Sequence, residues 1–387
     1  MELSAREARR LASSPMAGFD TLKTALGQMD EGELEHLLRA LSSLFREGQL
    51  EREVIELMGL LHDMRYASPI KRSRRVTMIR EALYSLLSFR REVPSAAYIT
   101  IKKGDALPSP EGGARTLCIN AEAYPSEGID SLASEVVRAY VAGWRSLLLY
   151  DVRGQRFIGS GLGKGSHGLV LHVYGSPGDY LASGLWGARI ICHDSAQDQV
   201  ANIMKDGELI VYGDAGQALL YAAKGGEVYI MGKVAGRPYI FTVGSPRLII
   251  NETALDYLGE QCMAGDALNG GGFVIVNGVE LAQDGSLREL EEPYPGSNLF
   301  SLASGGAVYI RDPYRRVGQD QLNEGIITEL RAQDWEMILP YLRRNEKLFG
   351  ISLDALLMVD GRERSYREVY IKVMPNPKSE KLKATRH

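Results

Sequence analysis

The sequence of 387 residues carries 45 lysines and arginines against 49 aspartates and glutamates, a net charge of −4. This length suffices for two or three domains with sizeable cores, and the charge balance does not indicate a nucleic-acid partner. No apolar stretch of about 18 residues and no signal-peptide pattern occurs, so we expect a soluble cytoplasmic protein that does not bind membranes. Glycine, at 42 residues, exceeds its usual share of about 7%, which favours a turn-rich architecture.

Residues 1–92 are predicted to form a helical module. Its best-defined helix begins after Asp30, the expected N-cap, and Glu33 follows three residues later as in a capping box. Apolar residues recurring every three to four positions predict two more helices, over 50–64 and 74–89. These helices carry apolar stripes of their own, so we expect them to dock a partner or a second copy of the chain.

Residues 93–154 are predicted to form a small α/β module. Alternating or continuous apolar runs predict strands at 96–101, 116–119 and 146–152. A helical pattern occupies 130–143. The last strand runs directly into the segment that follows, so this module is the better candidate to cap it at the N-terminal side.

The second half of the sequence repeats a segment of about twenty residues, in which a glycine or proline precedes a short aliphatic run. The first four of these positions are 19, 20 and 19 residues apart. Each run has four or five residues rich in β-branched and aromatic types, which is typical of a short strand. The runs follow Gly168, Gly187, Gly207, Gly226, Pro246, Gly272 and Gly306.

A fixed period of this length predicts a parallel β-helix over residues 155–315, because one short strand cannot bury its inner face alone. A β-propeller is the alternative, but its blades need about 40–45 residues and regular hairpins. Asn-Gly turns occur only at Asn269 and Asn277, which argues against it. One residue from each coil is expected to stack in a buried column: Val170, Ile190, Leu209, Val228, Leu248, Val274 and Val308.

Glycines at the corners of such a solenoid are expected to be structural, since corners need positive φ or close approach of neighbouring coils. Gly187 and Gly226 are expected to occupy equivalent corners with positive φ. The full set of predicted structural glycines is Gly175, Gly178, Gly187, Gly207, Gly213, Gly216, Gly225, Gly226, Gly232, Gly272, Gly278 and Gly306.

No residue is predicted to be catalytic, to bind a cofactor or to bind a metal. The glycine-rich stretch 159–165 fails the phosphate-binding pattern, because Gly163-Lys164 is followed by glycine where serine or threonine is required. Cys192 precedes His193 and Asp194, but the simpler interpretation is a cysteine that fills the core at a strand end.

The other two cysteines, Cys118 and Cys262, are 74 and 70 residues from Cys192. This spacing cannot by itself supply an iron–sulfur cluster, whose ligands usually lie close together in the sequence. No two histidines stand four residues apart, so zinc-binding spacing is absent.

Residues 316–387 are predicted to form a helical C-terminal segment. The apolar pattern indicates helices over 333–344 and 352–358. A cluster of basic residues over 378–386 is interpreted as a solvated tail.

Two segments resemble the GXGXG domain, the C-terminal part of the large (alpha) subunit of glutamate synthase. They run from Gly175 to Ile191 and from Gly213 to Gly232, and the ending Tyr370-Ile-Lys-Val-Met-Pro375 is similar to that of the same subunit. A related domain occurs as one of the subunits of formylmethanofuran dehydrogenase. The resemblance covers about 116–376 and implies a right-handed parallel β-helix.

The resemblance also implies a function. In glutamate synthase this domain spaces a glutaminase part and a part that binds flavin mononucleotide and an iron–sulfur cluster. Met1-Glu2-Leu3-Ser4 lacks the nucleophilic cysteine of the glutaminase part, and no flavin or cluster site is recognisable. We therefore expect a free-standing, non-catalytic subunit whose partners are a flavin or iron–sulfur chain and an amidotransferase chain.

Two other functions stay open. One is a subunit of the formylmethanofuran-dehydrogenase type, which the Lys-Val-Met-Pro ending disfavours. The other is an independent carbohydrate-active β-helix enzyme, which would need paired carboxylates beside a groove. A homo-oligomer is compatible with each of these functions.

Overall fold

The structure is a computed structural model that describes residues 5–110 and 115–377. The first four residues and the predicted basic tail from Lys378 onward lie outside the described residues. The chain divides into two compact units, each described separately below. Unit 1 comprises Met1–Ala123, Val141–Val152 and Leu281–Ser286, and unit 2 comprises Tyr124–Tyr140, Arg153–Glu280 and Leu287–His387.

Unit 1 combines helices with a small parallel sheet. The capping box is confirmed: Glu33 N–H donates to Asp30 Oδ1 at 2.9 Å and Asp30 N–H donates to Glu33 Oε2 at 3.2 Å. The two N-terminal helices were not predicted, although Pro15 at the first helical position after Ser14 was an available signal. The elements are α1 (Ala5–Ala12), α2 (Pro15–Leu26), α3 (Glu31–Arg46), α4 (Glu51–Asp63), α5 (Arg72–Glu92), β1 (Tyr98–Lys102), β2 (Thr116–Asn120) and β3 (Ser146–Arg153).

Helix α5 covers the parallel sheet formed by β1, β2 and β3. The Thr100 hydroxyl on β1 donates to the Leu87 carbonyl of α5 at 2.6 Å. The N-terminal helices and these three strands lie in one compact unit, whereas residues 124–140 of the predicted α/β module, which include most of its helix, belong to unit 2. Among the described residues, every helix of the protein is too short or too polar to cross a lipid bilayer.

Unit 2 contains the predicted parallel β-helix, which the structure confirms. Seven parallel strands stack in the order β4, β5, β6, β7, β8, β9 and β12. The elements of unit 2 are α6 (Leu132–Val141), β4 (Val170–Ser176), β5 (Trp186–Cys192), β6 (Asp206–Val211), β7 (Glu227–Ile230), β8 (Arg247–Ile250), a 3₁₀ turn (Ala267–Asn269), β9 (Phe273–Val276), β10 (Val279–Leu281), β11 (Leu287–Glu289), β12 (Ala307–Arg311), α7 (Gln319–Leu322), β13 (Gly325–Thr328), α8 (Ala332–Phe349), α9 (Leu353–Leu357), β14 (Met358–Val359), β15 (Arg362–Glu363), α10 (Tyr366–Val369) and β16 (Tyr370–Pro375).

The predicted buried column is correct except at its first member. Val170 pairs with Arg189 and is half-buried, whereas Leu171 pairs with Ile190. The error arises because β5 contains an irregularity between Trp186 and Arg189. The number of residues between the opening glycine and the buried residue of the strand is therefore not the same in every coil, and it differs by one. The observed column is fully buried and consists of Leu171, Ile190, Leu209, Val228, Leu248, Val274 and Val308.

A second wall of each coil is a ribbon of turns, here called the turn ribbon, formed by residues 180–184, 199–203, 218–222, 237–241, 257–261 and 298–302. Every second residue of these segments has positive φ, between 50° and 64° wherever it is not glycine. Bonds such as Met204 N–H to Ala201 O at 3.2 Å close four-residue turns. Positive φ at the third position of such a turn is the signature of type II.

The turn ribbon ties each coil to both of its neighbours. Ala201 N–H donates to the Leu181 carbonyl of the preceding coil at 2.8 Å. Ile203 N–H donates to the Tyr221 carbonyl of the following coil at 2.7 Å. The same alternation recurs every 19 to 20 residues up to 257–261 and once more at 298–302, so the turn ribbon forms a hydrogen-bonded ladder parallel to the strand ladder.

The predicted structural glycines occupy two kinds of position. Gly187 and Gly226 have φ of 123° and 90°, a region that only glycine adopts without strain. At Gly225 a Cβ atom would lie 2.4 Å from the Lys205 carbonyl oxygen of the neighbouring coil. Positive φ is also found at Gly175, Gly207, Gly278 and Gly306. A Cβ would collide with nearby atoms at Gly178, Gly213, Gly216, Gly232 and Gly272.

The C-terminal segment contains the predicted helix α8 and also strands that the sequence analysis did not predict. Strand β16 pairs antiparallel with both β12 and β13, so it closes the last coil of the β-helix. The edge of the seven parallel strands is therefore covered by the chain itself, which protects it from pairing with another molecule.

Replacing Val228 by aspartate is expected to abolish cooperative unfolding, because the carboxylate would be buried without a partner in the inner column. Val170→Asp is the matched control, since Val170 lies one register position outside that column and is half-buried. Thermal melts followed by circular dichroism measure both variants. A cooperative melt of Val228→Asp, or loss of folding in Val170→Asp alone, would contradict the observed register.

Gln261→Asn is expected to stabilise the protein by about 0.5–1 kcal/mol and to raise Tm by about 1–3 °C, because asparagine tolerates positive φ better than most residues. Gln261 has φ of 51°. The control is Gln217→Asn, an exposed residue on another coil that is absent from the positive-φ set. Calorimetry compares the two, and equal shifts in Tm would show that strain in the turn ribbon is not being relieved.

Candidate functional site

Helix α8 lies across the outer face of the β-helix and is held there by a buried ion pair. The Asp334 carboxylate, at the start of α8, accepts hydrogen bonds from Lys372 Nζ and the Tyr309 hydroxyl, both at 2.6 Å. Its second oxygen accepts the Arg331 N–H at 3.0 Å. Burial, and then the bond to Asp334, raise the pKa of Tyr309 above its ordinary value, so the hydroxyl remains a donor.

A buried amide network holds the other end of α8. Asn345 and Asn251 exchange two hydrogen bonds, at 2.7 and 3.0 Å. Asn277 donates to Asn251 at 2.8 Å and accepts the Tyr370 hydroxyl at 2.9 Å. All three asparagines are fully buried and paired, so the network fixes the position of α8 and β16 on the coils.

A groove of about 480 Å³ that contains several charged side chains runs along the N-terminal ends of strands β4 to β7. Glycines 168, 187 and 207 form part of its floor, which leaves the backbone accessible there. His167 and Asp206 lie at its rim, with His167 Nε2 2.8 Å from Asp206 Oδ2. Both of these side chains are more than half exposed.

The charges inside the groove neutralise one another. Glu208 accepts a bidentate pair of hydrogen bonds from Arg344 of α8, at 2.9 and 3.0 Å, and also pairs with Arg189. This bond to Glu208 raises the pKa of the Arg344 guanidinium. Glu227 accepts the Tyr229 hydroxyl at 2.8 Å. The carboxylates of the groove are thus engaged in holding α8 and neighbouring coils in place.

A stack of aromatic and histidine rings on successive coils was missed in the sequence. The rings of Tyr174 and His193 lie 3.7 Å apart at an interplanar angle of 2°, and Tyr212 continues the stack. His172 Nδ1 lies 3.0 Å from His193 Nε2. Positions 174, 193 and 212 are 19 residues apart, so the repeat period was the signal that could have identified them.

The cysteines occupy the core, as expected for Cys192. Cys192 follows Val173 in a second inner column and is fully buried. Burial raises the pKa of the Cys118 thiol to about 12 and that of Cys262 to about 11. Both thiols are therefore protonated at neutral pH and poor nucleophiles. Within residues 5–110 and 115–377, no three His, Cys, Asp or Glu side chains form a group that could hold a metal ion.

Comparison with known proteins assigns the chain to a family. The family model described as the GXGXG motif matches residues 132–376, well over half of the chain. The chain is also similar to the uncharacterized protein MJ1350 of Methanocaldococcus jannaschii, with 32% identity over 215 residues. That alignment covers 54% of this chain and 76% of the relative. The protein belongs to the GXGXG family.

Asp334→Asn is expected to destabilise the protein by about 3–5 kcal/mol, because it leaves the buried Lys372 ammonium without its anionic partner. Urea unfolding at neutral pH measures the change. The matched control is the double variant Asp334→Asn with Lys372→Met, which removes both charges, keeps an amide oxygen as acceptor near Tyr309 and the Arg331 N–H, and should recover most of the loss. If the double variant were as unstable as Asp334→Asn, packing and not the ion pair would hold α8.

Proposed function

We propose that this protein is a structural, non-catalytic subunit of a glutamate-synthase-like oxidoreductase complex. Its role is to hold a flavin or iron–sulfur chain and an amidotransferase chain at a fixed separation. The observation that carries the proposal is that two hydrogen-bonded ladders, one of strands and one of turns, run along the β-helix. Strand ladder and turn ribbon together connect every coil to the next, which suits a rigid spacer.

The family supports this role, because GXGXG domains are typical of the large subunit of glutamate synthase, where the domain spaces catalytic parts. The described ionisable groups support it as well. Glu208 is held between two arginines, and the buried Asp334 is held by Lys372. Groups that stabilise packing in this way are poorly placed for proton transfer to a substrate.

The carbohydrate-active alternative fits the groove less well. A glycosidase needs one carboxylate free to protonate the leaving group and a second free to attack or to activate water. In the groove, Glu208 is neutralised by Arg189 and Arg344, and Glu227 accepts a hydrogen bond from a tyrosine. These contacts favour the scaffold over the hydrolase.

Reconstitution tests the proposed function. The chain is mixed with separately purified flavin or iron–sulfur and amidotransferase chains of the glutamate synthase type from the same organism, and assembly is followed by size-exclusion chromatography with light scattering. We expect one complex containing all three chains, and glutamine-dependent glutamate formation that requires this chain. The same subunits mixed without it are the control.

The absorption spectrum of the isolated chain supplies a second test. We expect no bands in the visible range, since protein side chains absorb only in the ultraviolet. A purified chain that is yellow or brown, or that forms glutamate alone, would contradict the scaffold function.

A further inference from the structure

A row of apolar side chains, here called the apolar stripe, lies along one edge of the turn ribbon and two residues beyond it at Val243 and Met263. Its members are Ile203, Tyr221, Phe241, Val243, Met263 and Leu302. Four of them are 36% to 52% exposed. Backbone hydrogen bonds place them on consecutive coils, for example from Ile203 N–H to the Tyr221 carbonyl and from Phe241 N–H to the Glu260 carbonyl. The rings of Tyr221 and Phe241 contact edge to face at 5.5 Å between centroids.

The apolar stripe is costly for the isolated chain, because Ile203 and Leu302 expose about half of their apolar surface. Ile203, Phe241 and Leu302 also have positive φ, a region that asparagine or glycine adopts with less strain. Polar side chains would therefore suit both the exposure and the backbone at these positions, and burial against a partner explains why apolar ones stand there.

Three lysines lie at one end of the apolar stripe. Lys205 lies two residues after Ile203, and Lys224 lies two residues after Ala222 on the next coil. The ammonium groups of Lys164 and Lys205 lie 5.6 and 4.4 Å from the centroid of the Trp186 ring. All three are exposed. Within the part of the chain that the structure describes, none of them forms an ion pair. The positive charge at this end favours a binding partner that places carboxylates over it.

We propose that the apolar stripe binds an amphipathic helix of a partner protein whose acidic residues lie over Lys164, Lys205 and Lys224. Coils repeat at about 4.8 Å, so the five coils span about 19 Å. A helix of roughly 13 residues has that length, and its apolar positions recur at about 5.4 Å per turn, close to the coil spacing. The inference rests on the proposed function in that the partner is a subunit of the complex.

A designed peptide tests this surface without any natural subunit. The probe is a fluorescein-labelled 18-residue helix with leucines at i, i+3 and i+4 spacing and four glutamates at one end. A scrambled peptide of the same composition and a peptide with lysines in place of the glutamates are the comparisons. Fluorescence anisotropy with the full-length protein measures Kd for each, so failure of reconstitution and failure of this surface are distinguishable.

Three variants locate the binding. We expect Met263→Ser to weaken binding of the acidic peptide by about tenfold. The double variant Lys205→Glu with Lys224→Glu should weaken it by about as much and should bind the lysine peptide more tightly than the native protein does. Ile327→Ser removes an equally exposed apolar residue on β13 and should leave Kd unchanged.

Several outcomes would overturn the proposal. They are no binding of the acidic peptide, equal binding of the scrambled or lysine peptide, or equal losses in Met263→Ser and Ile327→Ser. Analytical ultracentrifugation checks the competing occupant. A native dimer that Met263→Ser converts to monomer, without peptide binding by either form, would assign the apolar stripe to a second copy of the chain.

Discussion

The coil-to-coil hydrogen bonds of the turn ribbon are the interaction on which the rest of unit 2 depends. Positive φ costs about 1–2 kcal/mol for each residue other than glycine, whereas a buried N–H left without a partner costs about 1–3 kcal/mol. Ala201, Leu220 and Tyr239 are buried, and their N–H groups donate to the preceding coil at 2.8 Å. The hydrogen bond therefore offsets a strain of similar size, and it exists only when neighbouring coils are present. This makes the coils interdependent and explains how they can form a rigid body without a thick core.

The strands of the β-helix were predicted from the sequence, whereas the turn ribbon was not. Glycine-bounded aliphatic runs defined six of the seven column positions, and the irregularity in β5 displaced Val170 by one residue. Positive φ was foreseeable at Gly187 and Gly226 because glycine signals it. It was not foreseeable at Ile203, Leu220 or Tyr239, since these residue types avoid that region in isolation and adopt it only under the constraint of adjacent coils. Strand β16 escaped prediction for a similar reason, because its partner β12 lies about 60 residues away in the sequence.

The polar contacts of unit 2 were less predictable than the fold, since they join residues far apart in the chain. Asp334 meets Lys372 and Tyr309, and Glu208 meets Arg344, only after α8 folds back on the coils. The ring stack at 174, 193 and 212 is the exception, because it follows the repeat period. These contacts all serve to hold elements in place. Their character agrees with a scaffold whose chemical work is done by other chains, which is the role proposed above for this member of the GXGXG family.

Amide hydrogen exchange read residue by residue tests the central claim most directly. If the turn ribbon is the ladder that joins the coils, the N–H groups of Ala201, Leu220 and Tyr239 exchange only through global unfolding. Their rates then match those of the strand amides at Leu209 and Val228, and respond equally to low concentrations of urea. If instead the ribbon amides exchange many times faster than the strand amides, with no dependence on urea, the turn ribbon opens locally. The coils would then be joined by the strands alone.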